Sequence, residues 1–82
     1  MKTHKLKTLP QHFLPVVAGI KKAELRENDR DFKVGDILLL QEWTPEHGYY
    51  GSETSKRIIH IADVGDYLPG WVLLSMVNQD EL

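Results

Sequence analysis

Four apolar residues stand in a row at Ile37-Leu38-Leu39-Leu40, between Gly35-Asp36 and Gln41-Glu42-Trp43. A continuous run of this length, rich in branched side chains, fits a strand buried on both faces. The chain around it is short. Its 82 residues make one domain, residues 1–82, near the lower end of what folds alone.

The flanking segments carry the signatures of other strands. His4 to Leu9 alternates weakly and reads as a first strand. Lys22 to Glu27 reads as a strand with Ala23 and Leu25 on one face and Glu24 and Arg26 on the other. Asn28-Asp29-Arg30-Asp31 is a polar turn, and Thr44-Pro45-Glu46-His47-Gly48 a hairpin loop. Tyr49 to Val64 reads as a long strand in which Ile59 and Ile61 share a face opposite His60. Gly65 to Gly70 is a loop, and Trp71 to Val77 the last strand. The polar tail Asn78-Gln79-Asp80-Glu81-Leu82 is expected to fray.

One helix is expected near residues 10–18. Pro10 suits a first helical position, where its missing N–H has no partner to lose. Leu14, Val16, Val17 and Ile20 supply an apolar side, and Gly19 a C-terminal cap. Pro15 is expected to kink this helix or split it in two. Strand, helix, then four strands points to an α+β domain: a small mixed β-barrel of five to six strands with one short helix. A closed or nearly closed barrel would also remove exposed strand edges.

Composition narrows the function classes. There is no cysteine, so the disulfide framework of small secreted domains is excluded. No apolar stretch approaches a membrane span, and none follows Met1 that would serve as a signal peptide. The expected setting is the cytoplasm, with no membrane partner. The net charge of −2 is unevenly spread. Residues 1–34 carry eight Lys/Arg and four acids, while residues 35–82 carry two and eight. A basic first half suits an anionic ligand, although a solvated mixed-charge surface is the alternative.

The densest polar cluster is Gly19-Ile20-Lys21-Lys22-Ala23-Glu24-Leu25-Arg26. Glu24 and Arg26 are two apart on a strand and leave the same face, with Lys21 at the helix-to-strand connection. A carboxylate between two cations is held ionised and oriented, and the cations can meet a phosphate. The alternative is a surface charge trio of little energetic worth.

The run Gly19-x-Lys21-x-x-Glu24-x-Arg26 resembles the G-x-K-x-x-E-x-R signature of ASCH domains, members of the PUA-like superfamily. His4-Lys5-Leu6-Lys7-Thr8-Leu9-Pro10 and Asn28-Asp29-Arg30-Asp31-Phe32-Lys33-Val34-Gly35-Asp36 resemble an uncharacterised bacterial and phage branch of it. The resemblance implies a PUA-like barrel with a cleft between helix and barrel mouth, and RNA or nucleotide binding there. Carried over residue by residue, it gives Lys21, Glu24 and Arg26 as cleft residues. Asn28, Asp29 and Arg30 form one wall, with His4 and Lys7 reaching the same region from the first strand. The expected partner is RNA or another single-stranded nucleic acid, or a nucleoside, bound by a monomer. Pro15 departs from the family pattern, in which the helix is usually uninterrupted.

The resemblance also implies a second reading. One ASCH branch is similar to a small amidohydrolase acting on N4-acetylcytidine through a lysine, a threonine and a glutamate. Lys21 matches the lysine, but Glu24 stands where that branch has its threonine. A carboxylate beside a lysine works against the neutral form that a base or nucleophile requires, so hydrolysis ranks second and no catalytic residue is expected.

No cofactor is expected, since the chain holds no phosphate-cradling glycine loop and no dinucleotide fingerprint. No metal is expected either. His4, His12, His47 and His60 include no pair at zinc-binding helical spacing. Trp43, Tyr49, Tyr50, Tyr67 and Trp71 flank the loops. They could stack on unpaired bases or plug the barrel ends.

Overall fold

The alternation of small apolar and polar runs resolves into six elements. These are β1 (Thr3–Thr8), α1 (Pro10–Val17), β2 (Ala23–Glu27), β3 (Ile37–Thr44), β4 (Gly48–Asp63) and β5 (Trp71–Asn78). The computed structural model describes residues 1–80, so Glu81 and Leu82 of the expected frayed tail lie outside the described residues. The strands form one sheet in the order β1-β3-β4-β5-β2. β1 runs parallel to β3 and every other pairing is antiparallel. The sheet curls into a half-barrel, with β1 and β2 as its two free edges rather than a closed wall.

Side chains on the concave face make the core. Leu6 of β1, Leu38 and Leu40 of β3, Ile58 of β4, and Val72, Leu74 and Met76 of β5 are buried together with Phe32. The apolar run of β3 is buried on its inner face, where Leu38 and Leu40 sit. On the outer face Ile37 is buried but Leu39 only half so.

Helix α1 lays Phe13 and Val16 on this core, one helical turn apart. Leu14, Val17 and Ile20, expected on the apolar side, are exposed. The helix is short enough to bury a single stripe, and Phe13 rather than Leu14 lies on it. Pro15 neither splits the helix nor ends it. Its carbonyl instead accepts the N–H of Ile20 at 2.9 Å, while Gly19 donates to Val16 at 3.0 Å. This paired closure is a Schellman motif, and Gly19 takes the left-handed conformation it requires, at φ +79°.

Long strand β4 departs from simple alternation. Between Ile58 and His60 the register against β5 slips by one residue, a β-bulge at Ile59. The expected shared face of Ile59 and Ile61 is therefore corrected. Ile59 is turned outward and exposed, while Ile58 and Ile61 both face the core. A second irregularity lies near the β3–β4 hairpin, where Gly51 has a positive φ.

Asp36 ties the start of the sheet together. Its carboxylate accepts from the Lys2 N–H at 3.0 Å, the Lys33 N–H at 3.1 Å and His4 Nε2 at 2.8 Å. Burial alone would raise its pKa, but the His4 hydrogen bond and the two backbone donors outweigh it and hold the group at about 2. A depressed carboxylate stabilises the fold above its ordinary pKa of 3.8, and that share is lost as pH falls towards 2. We expect the unfolding free energy to drop by on the order of 2 kcal/mol from this group between about pH 4 and pH 2. Urea titrations at several pH values check this, and Asp36→Asn should flatten that part of the profile.

Candidate functional site

The two free edges of the half-barrel face each other across a cleft of about 480 Å³. β1 contributes Leu6, Lys7 and Thr8, the helix N-cap Leu9, and β2 Glu24 through Glu27. His12 enters from α1, Lys21 from the connection, Asp29, Arg30 and Phe32 from the loop after β2, and Trp71 from the start of β5.

Side chains bridge this seam where a backbone ladder is lacking. Arg26 Nη2 donates to Lys7 O at 3.2 Å, and Arg30 Nη1 donates to Lys5 O at 2.9 Å. Both acceptors are carbonyls on the unpaired side of β1. The arginines therefore satisfy an open strand edge that would otherwise invite another strand.

Glu24 is the centre of the site. β2 alternates, and the face it turns inward is the polar one: Glu24 is 4% exposed, whereas Leu25 points out. Arg26 donates to Glu24 Oε2 from Nε at 2.8 Å and forms an ion pair with it from Nη2 at 2.7 Å. Arg26 Nη2 also reaches Thr8 Oγ1 at 3.4 Å. Lys21 Nζ stands 3.3 Å from Glu24 Oε1, an ion pair without hydrogen-bond geometry, so Oε1 is a buried acceptor with no hydrogen bond. The Schellman turn places Lys21 there, since its own N–H also closes on Pro15 O at 3.0 Å.

Lys21, Glu24, Arg26, Asp29, Arg30 and Lys7 are thus brought together as sequence reasoning expected. His4 and Asn28 are not among the residues lining the cleft. His4 is buried against Asp36 and packs edge-on to Phe32, with ring centroids 4.8 Å apart. The Asn28 side chain accepts from the Phe32 N–H at 3.3 Å, which shapes the turn. His12 and Thr8 are cleft residues that sequence reasoning missed, and Trp71, expected as a base-stacking ring or a plug of the barrel end, also lines the cleft. For His12 the signal was its place next to Phe13, which the helix buries. Trp71 arrives through its register with Glu27, which no local pattern reveals.

Thr8 is the one hydroxyl in the lining. It donates to Leu6 O at 3.1 Å and lies 3.4 Å from Arg26 Nη2. Among the described residues no cluster of three His, Cys, Asp or Glu could hold a metal ion, and no helix is long and apolar enough to cross a membrane.

A family model described as a domain of unknown function, DUF3850, matches residues 3–76 of the chain. An uncharacterized 12.9 kDa protein in the GpA 3′ region of Escherichia phage P2 is 36% identical to it over 76 residues. That match covers 93% of this chain and 69% of the phage protein.

Proposed function

The chain belongs to the DUF3850 family, and we propose that its cleft binds single-stranded RNA or a nucleotide-like ligand. The observation that carries this reading is Glu24. A buried carboxylate clamped on one oxygen by Arg26, with Lys21 Nζ 3.3 Å from the other, is a fixed ionised acceptor in the cleft wall, with a cation that a ligand can draw away. Beside it, Lys21 offers a donor and a positive charge, and Arg30 and Lys7 stand at the rim. Every nucleobase carries a donor or acceptor edge that such a pair can meet, and the surrounding cations suit the attached phosphate.

The ASCH and PUA-like assignment belongs to the same proposal. It is supported by Lys21, Glu24 and Arg26 of the Gly19-x-Lys21-x-x-Glu24-x-Arg26 run lining one cleft between the strand edges, with Gly19 turning the chain ahead of them. In this reading the domain acts as a cytoplasmic monomer without a resident metal or cofactor. Hydrolysis of a modified nucleoside ranks below binding, because Glu24 stands in the threonine position and the Thr8 hydroxyl is already engaged.

Fluorescence anisotropy with labelled single-stranded RNA and DNA at low salt tests the reading. Lys21 is the probe residue, since Arg26 also has a structural duty. Lys21→Ala should weaken binding by about 1–3 kcal/mol, with a shallow salt dependence reflecting few phosphates. Glu24→Gln should weaken binding and blur base preference. If Glu24→Gln instead tightens binding, Glu24 merely repels phosphate and does not read a base. Absence of binding to either strand type and to a mononucleotide sinks the proposal.

A further inference from the structure

We propose that the outer face of β1, β3 and β4 is a second contact surface, on which bases flanking the one in the cleft stack and their phosphates are tracked. This rests on the nucleic-acid reading of the cleft and extends it to a neighbouring surface. Lys5 and Lys7 alternate with the buried His4, Leu6 and Thr8, so both point away from the core. Across the sheet the register sets Lys5 beside Leu39 and Ser55, Lys7 beside Gln41 and Glu53, and Trp43 beside Tyr49. Arg57 lies on the same face, opposite Ile37.

Three cations thus share this face with one acid, Glu53, although residues 35–82 are strongly acidic as a whole. The charge complements a phosphate backbone and not a cationic partner. Lys7 joins the two surfaces. It lines the cleft, and its Nζ lies 4.8 Å from the centroid of the Trp43 ring. Beside Trp43, the Tyr49 ring is 53% exposed on this face. Tyr50 alternates with Tyr49 and leaves the opposite face, where its ring stacks on His47 and its hydroxyl meets Thr44. An exposed aromatic ring beside a cationic track is what sequence-tolerant single-strand binding uses.

The test compares a mononucleotide with a single-stranded RNA of about eight nucleotides, within the site size of small barrel domains. Tyr49→Ala alters an exposed side chain of the proposed surface, Tyr50→Ala one on the opposite face, and circular dichroism verifies that each variant is folded. Tyr49→Ala should lower affinity for the octamer on the order of tenfold while leaving mononucleotide affinity unchanged, and Tyr50→Ala should leave both unchanged. Tyr49→Phe should keep octamer affinity, since the ring face remains. If Tyr49→Ala binds the octamer like the parent while Lys21→Ala weakens it, the platform is refuted and the cleft reading stands. If the parent binds neither ligand, both are refuted.

Discussion

Arg26→Ala is expected to lower the unfolding free energy by about 2–3 kcal/mol, far more than an exposed ion pair is worth. The reason is what the substitution leaves behind. Glu24 is buried, and Arg26 supplies its hydrogen bond and its closer ion pair. Without the guanidinium, a carboxylate stays in the core facing only Lys21, and desolvation of that charge is no longer offset. The same substitution removes the bond to Lys7 O, leaving one carbonyl of the β1 edge without its donor. Urea denaturation of Arg26→Ala alone and together with Glu24→Gln separates these contributions. Glu24→Gln with Arg26→Ala should recover part of the loss, because the uncompensated charge is gone. Equal stability of the single and double variants would show that the seam contact, not the buried charge, carries the effect. A loss below about 0.5 kcal/mol would mean that Arg26 behaves as a surface residue.

Leu40→Ala is expected to cost about 3–4 kcal/mol, the larger of the two effects. Leu40 is fully buried on the concave face of β3 and pairs across the sheet with Leu6 of β1 and Thr54 of β4. Truncation forfeits its transfer free energy and opens a cavity that the surrounding strands cannot close without losing register. A domain of this size has roughly 4–12 kcal/mol in total, so the variant should be near its unfolding threshold at elevated temperature. Thermal denaturation reads this as a large drop in Tm. Leu39→Ala, one residue away on the outer face and only half-buried, is the matched control and should cost much less.

Most of the element order was legible in local patterns. Alternation, the apolar run at Ile37–Leu40 and the turn residues each depend on near neighbours, and the six elements fell within a residue or two of expectation. The same locality explains the misses. Alternation in β4 was read through Ile59, but a bulge is a register event between two strands, and β5 is needed to see it. The apolar side expected for α1 joins Leu14, Val16, Val17 and Ile20, of which the sheet buries Val16 alone. A helix of eight residues has several apolar sides, and the sheet it meets chooses among them.

For the site, the sequence alone determined that Lys21, Glu24 and Arg26 would be close, because a glycine-capped helix end and a two-residue strand spacing leave little freedom. It also determined that Gly19 would turn the chain there, since few other residues tolerate that conformation. Tertiary structure alone decided which way β2 faces, and so turned Glu24 from a surface charge into a buried acceptor. It alone brought β1 across from β2, placing Thr8, Lys7 and the carbonyl of Lys5 within reach of two arginines. It also withdrew His4 into a bond with Asp36, 32 residues away. Such contacts join residues far apart in sequence, so their energies are set by sheet order and curl, quantities that no window along the chain encodes.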